Sequence, residues 1–183
     1  YAKSLLDQAL QHARKDELDL LEARVLQARG RLHTHAGEYE AAQQAFAEAR
    51  RIRQHDPDRY RLGSLELDGA RLQLAQGQQQ QAHAAAQAVL SLAAELENGY
   101  LRSRAYLLLS EIAESQQDYP QALAHHKAYT QAELARMQAG NRLNAASMRV
   151  QEDLEAALAR NEHLDAAVSE AQATASHLAE QNQ

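Results

Sequence analysis

The chain has 183 residues, a formal net charge of −6 and no cysteine. The lack of cysteine excludes disulfides, thiol catalysis and cysteine-ligated metals, and the negative charge argues against binding to nucleic acid. No stretch has the length and apolar character of a membrane span, and no signal peptide is visible, so we expect a cytoplasmic protein. Only 2 prolines and 7 glycines interrupt a composition rich in strong helix formers, which predicts an all-α fold.

The first predicted element is a helix at the start of the chain. Its small and apolar positions return 40 residues later, where Ala2, Leu6 and Ala9 correspond to Ala42, Phe46 and Ala49. A fixed period in this range is typical of stacked repeats, in which each unit buries its apolar face against its neighbours. Because no partner helix precedes this element, we expect further repeats upstream; the alternative is a capping helix at a true N-terminus.

Three predicted helical hairpins follow, one in each 40-residue unit. Gly37, Gly77 and Gln117 mark their turns, where glycine can take a positive φ at little cost. Pro57 discourages helix at the preceding residue, and Pro120 suits the first turn of the last helix. The predicted hairpins are 18–35 with 38–54, 58–76 with 78–96, and 98–116 with a helix from 119 onward.

One of these units resembles the tetratricopeptide repeat. The resemblance is carried by Leu26, Gly30, Gly37, Tyr39, Ala42, Phe46 and Ala49. Later units keep the pattern more loosely, with Ala70 and Ser110 in place of the first glycine, and the period of 40 exceeds the family's usual 34. The resemblance implies a tetratricopeptide-like helical-hairpin solenoid over residues 1–136.

The same resemblance implies a ligand groove lined by the first helix of each hairpin, called helix A. The positions carried over from the family are Arg24, Gln27, Arg31, Arg71 and Arg104. Guanidinium groups pair bidentately with carboxylates, so a row of arginines on an acidic chain predicts a site for a protein, a peptide or a small anion. The alternative is that these arginines are ordinary exposed side chains that pair with nearby glutamates.

Residues 137–183 form a second predicted domain, in which apolar residues repeat every seven positions. The predicted seam contains Leu143, Val150, Leu154, Asn161, Leu164, Val168 and Leu178. This heptad predicts a parallel dimeric coiled coil, and Asn161 at an a position favours in-register pairing. The alternative is an amphipathic helix that folds back on the repeats.

No motif in the sequence indicates catalysis, a metal site or a cofactor. The chain lacks a phosphate loop, a zinc-protease helix and a glycine-rich dinucleotide turn. Its nine histidines, including those in HTH at 33–35 and HH at 125–126, lack the spacing of a recognisable metal site. We therefore expect no enzyme, no metal and no cofactor within these residues.

The order of repeats and then heptads resembles bacterial tetratricopeptide-containing diguanylate cyclases and histidine kinases. That resemblance implies a regulatory module that passes a signal through a coiled coil to a C-terminal output domain, foremost a diguanylate cyclase. The alternative is a non-catalytic scaffold that dimerises through its C-terminal helix. Because the heptads are still running at Gln183, we expect a longer protein.

Overall fold

The structure of the chain, a computed structural model, describes residues 2–54 and 56–181, and side chains for 3–54, 56–152, 154, 155 and 160. Seven α-helices and no strand occur in this described part, which confirms the predicted all-α class. The helices are α1 (Ala2–Lys15), α2 (Asp19–His35), α3 (Tyr39–Arg53), α4 (Arg59–Ala75), α5 (Gln79–Glu95), α6 (Gly99–Ser115) and α7 (Tyr119–Gln181).

The predicted bounds of α2 to α6 differ from the observed ones by one residue at most. The turns explain this regularity, because a residue with positive φ follows five of the helices: Glu17, Gly37, Gly77, Glu97 and Gln117. At each turn the next N–H donates to a carbonyl in the last helical turn, as Glu38 does to His33 at 2.9 Å. This pair of features is a Schellman motif. Three of the five turns use a residue other than glycine.

Consecutive helices from α1 to α6 pack against one another, and α4 also packs against α2 and α6. Contacts between α6 and the start of α7 include a hydrogen bond from Ser110 Oγ to the Ala122 carbonyl at 3.0 Å. Ala42, Ala82 and Ala122, which are 40 residues apart, are all buried. The 40-residue repeat of the sequence is therefore a repeat of packing, compatible with a tetratricopeptide-like fold.

In the first complete hairpin, a glycine lets two helices pack closely. Phe46 of α3 packs against Gly30 of α2, where an added Cβ would lie only 2.4 Å from the ring. In the next unit both equivalent positions are alanine, and Ala70 and Ala86 share one buried cluster. The second unit therefore lacks the contact between a large ring and a glycine, and its two alanines are buried among the leucines of that cluster.

The chain divides into two compact units, residues 1–136 and 137–183, and α7 contributes to both. In the second unit, the seam residues Leu143, Val150 and Leu154 are 58% to 72% exposed. Asn161, Leu164, Val168 and Leu178 lie on α7, but their side chains fall outside the described residues. Within the part that is described, no helix has the length and apolar character needed to cross a membrane.

The contact at Gly30 can be tested by adding a single methyl group. Gly30→Ala should lower the free energy of unfolding by about 1–3 kcal/mol, because the methyl overlaps the Phe46 ring. Gly69→Ala is the matched control, since nothing lies within 4 Å of its Cβ position, and it should raise stability by up to about 1 kcal/mol. Urea unfolding followed by circular dichroism measures both, and effects of the same sign would contradict this packing.

Candidate functional site

The first helices of the three hairpins, α2, α4 and α6, lie side by side. We call their shared surface the A-helix face. Because the repeat is 40 residues long, equivalent positions on the three helices form rows across this face. Three of these rows are Leu20, Tyr60 and Tyr100; Arg24, Ser64 and Arg104; and Arg31, Arg71 and Glu111.

Asp68 of α4 is the centre of a polar cluster on this face. Its residue surface is only 2% exposed. One carboxylate oxygen accepts a hydrogen bond from Gln27 Nε2 of α2 at 2.7 Å, and the other accepts from Arg104 Nη2 of α6 at 3.0 Å. Arg31 Nε lies 3.9 Å from the carboxylate. Ser64 Oγ accepts from both Gln27 and Arg104, at 3.3 and 3.4 Å. The cluster therefore connects all three A-helices.

Three of the five predicted groove residues lie around Asp68. Gln27 and Arg104 bind Asp68, and Arg31 lies beside them. Arg71 instead lies 3.8 Å from Glu111 of the neighbouring helix. Arg24 is exposed and makes no hydrogen bond or ion pair with any described residue. The predicted row of equivalent arginines is thus divided into paired and unpaired side chains.

Asp68 was not predicted from the sequence, although a signal for it exists. Its counterparts in the adjacent units are Ala28 and Leu108. A carboxylate at a position where the repeat otherwise places an apolar residue marks a buried polar group that requires partners. The partners of Asp68 lie on α2 and α6. The sequence prediction took each helix separately, so it did not pair residues between helices.

Two open cavities lie next to each other on the A-helix face and share Arg31 and Arg104. The first, which we call the Arg71 cavity, has a volume of about 660 Å³. It is lined by Arg31, Thr34, His35, Asp68, Arg71, Leu74, Ala75, Arg104 and Glu111. The second, the Arg24 cavity, has a volume of about 570 Å³. It is lined by Leu20, Leu21, Arg24, Gln27, Arg31, Arg53, Tyr60, Arg61, Ser64, Tyr100 and Arg104.

The two cavities differ in charge. Asp68 and Glu111 face the arginines of the Arg71 cavity, so its charge is nearly balanced. Five arginines and no carboxylate form the wall of the Arg24 cavity. A wall of this kind on a chain with a net charge of −6 attracts anions locally.

Arg53, at the end of α3, is a second residue that sequence reasoning missed. Its residue surface is 4% exposed. Nη1 donates a hydrogen bond to the Arg61 carbonyl at 2.7 Å, whereas Nε is buried without a hydrogen-bond partner. Burial lowers the pKa of the Arg53 guanidinium, and the nearby Asp56 carboxylate acts in the opposite direction. The prediction missed Arg53 because it considered only helix-A positions.

One histidine of each sequence pair is packed against its neighbours, whereas His35 and His126 are exposed. His33 is buried, with Nδ1 against Glu38 and Nε2 3.4 Å from Arg29 Nε. His125 stacks on Tyr106 with ring centroids 6.4 Å apart. Burial, and then the charge of His83, lowers the pKa of His125. Among the described residues, no group of three histidine, aspartate or glutamate side chains could hold a metal ion.

The chain matches no protein-family model, and no curated protein is significantly similar to it. The geometry of the site is therefore the basis for proposing a function.

The Asp68 cluster predicts unequal effects for two arginines of the same face. Arg104→Ala should lower the free energy of unfolding by about 2–4 kcal/mol, because it leaves the buried carboxylate with one partner fewer. Arg71→Ala should cost less than about 1 kcal/mol, since its pairing with Glu111 is partly exposed. Chemical unfolding of the two variants tests this difference, and equal losses would show that Asp68 does not depend on Arg104.

Proposed function

We propose that the chain is the regulatory part of a cytoplasmic signalling protein, with a tetratricopeptide-like ligand-binding domain and a dimerising C-terminal helix. The observation that carries the proposal is the Arg24 cavity, a cationic surface on an acidic chain. Its arginines would bind an acidic protein, peptide or small anion. Arg24 is exposed and has no hydrogen bond or ion pair with a described residue, so its guanidinium is accessible to a ligand.

The Asp68 cluster supplies a route by which a ligand could change the domain. Arg31 and Arg104 line both cavities and also face Asp68. A ligand in the Arg24 cavity lies beside these arginines, and any contact it makes with them competes with Asp68 for their N–H groups. It would therefore favour one relative arrangement of α2, α4 and α6 over another, and only such a difference in affinity can shift the population.

We propose that α7 carries this change toward the C-terminus. Its first turns contact α6 through Ser110 and Tyr106, and the same helix continues to Gln181. Leu143, Val150 and Leu154 are exposed at heptad positions. In a parallel dimer these side chains would pack across a seam, and a shift of α6 would act on the helix that builds it.

The proposed output is an additional C-terminal catalytic domain, foremost a diguanylate cyclase. The exposed seam residues also support a second candidate, a non-catalytic scaffold in which the helix serves only to dimerise. The two differ in what the reading frame encodes after Gln183: a catalytic domain supports the first, and a stop codon supports the second.

Sedimentation of the 183-residue chain tests the dimer. At about 50 µM we expect a dimer, and Leu154→Asp should shift it to monomer because a charge at a core position is desolvated in the seam. Glu152→Lys, at the outward f position, is the matched control and should leave the dimer unchanged. A monomeric parent chain, or a Leu154→Asp variant that remains dimeric, would contradict the proposed interface.

A further inference from the structure

A cationic corner lies where α3 ends and α4 begins. It contains buried Arg53 and half-exposed Arg61, with exposed Arg24 facing the same cavity from α2. Arg61 pairs with Asp56 and Asp58, at 3.4 and 3.1 Å. These two carboxylates lie outside the cavity wall, so the surface presented to a ligand remains cationic.

The exposed arginine of the cavity wall that has no carboxylate partner among the described residues, Arg24, lies at this corner. On the other side of the cavity, Arg104 is bound to Asp68, and Arg31 lies within 3.9 Å of the same carboxylate. At the corner, Arg24 has no polar partner among the described residues, and the buried Nε of Arg53 lacks an acceptor. A buried guanidinium with an unsatisfied N–H is stabilised by an additional negative charge nearby.

One part of the same cavity wall is apolar and aromatic. Leu20, Leu21 and Tyr100 line it and are 42% to 50% exposed. Tyr60 lies beside Tyr100, with ring centroids 6.3 Å apart. Since Leu20, Tyr60 and Tyr100 occupy one row of the repeat, they offer apolar surface along the starts of all three A-helices. A ligand that covered this row would remove exposed apolar area from water.

The geometry points to a carboxylate joined to an apolar group as the ligand of the Arg24 cavity. The carboxylate would bind at the corner of Arg24, Arg53 and Arg61, and the apolar group would cover Leu20, Leu21 and Tyr100. The volume of about 570 Å³ lies in the range of small-ligand sites. This inference rests on the proposed function, because it names the ligand class of that same surface. Both a free organic acid and an acidic residue beside apolar residues in a peptide have this chemistry.

The test uses the full 183-residue chain and 4-phenylbutyrate, titrated by NMR while the Tyr100 and Leu21 signals are followed. We expect saturable binding in the millimolar range, about tenfold weaker binding of acetate, and no saturation by the neutral 4-phenylbutyramide. Arg24→Gln should weaken the acid about fivefold. Arg51→Gln removes the same charge from an exposed position outside the cavity and should change affinity less than about twofold.

Three results would overturn the inference: equal binding of acid and amide, equal effects of the two arginine variants, or no saturation by the acid up to about 50 mM. A hexapeptide with one glutamate among leucines, acetylated at its N-terminus and amidated at its C-terminus, distinguishes a peptide ligand from a free organic acid. Binding about tenfold tighter than the free acid supports a peptide, and similar binding supports a small acid. If the acid fails while Leu154→Asp still abolishes a dimer, the ligand class is wrong and the proposed dimeric module stands.

Discussion

The buried carboxylate of Asp68 is the constraint on which the A-helix face depends. A carboxylate removed from water is costly unless hydrogen bonds replace its hydration. Here the replacement comes from Gln27 on α2 and Arg104 on α6, at 2.7 and 3.0 Å. The aspartate on the middle helix therefore holds side chains from both neighbours, and it fixes their positions more narrowly than apolar packing alone would do.

The same interaction determines how the arginines of the face can be used. Arg104 also lies over the Tyr100 ring, 5.6 Å from its centroid, so it links the buried carboxylate to the aromatic row. With Arg104 held in this way, the charge that remains for a ligand is displaced toward Arg24 and the end of α3. Arg24 and Arg104 occupy equivalent positions in the repeat, but their chemical surroundings differ.

Much of the fold could be predicted from the sequence, because the features that set it are local and repeated. The bounds of α2 to α6 follow from turn residues spaced along the chain and from small residues such as Ala42 and Ala82. The left-handed turns at Glu17 and Glu97 were not predicted, since nothing in a glutamate signals a positive φ. There the turn is set by the packing of the helices on either side, which overrides local preference.

The candidate site could be predicted only in part. The family resemblance selected helix-A positions and so found Gln27, Arg31 and Arg104, which the structure brings together. It could not find Asp68 or Arg53, because each is a departure from the repeat whose meaning depends on residues distant in sequence. A repeat pattern describes what the units share, whereas the polar cluster and the cationic corner arise from what distinguishes one unit from another.

The coupling of α2 to α6 through Asp68 can be measured by a double-mutant cycle on Gln27 and Arg104. We predict that Gln27→Ala and Arg104→Ala together lower the free energy of unfolding by about 1 kcal/mol more than the sum of the two single changes. The reason is that the double variant removes both of these hydrogen-bond donors from the buried Asp68 carboxylate. Gln27→Ala with Arg71→Ala, which share no partner, should be additive within about 0.5 kcal/mol. Additivity of Gln27 and Arg104 would contradict the account.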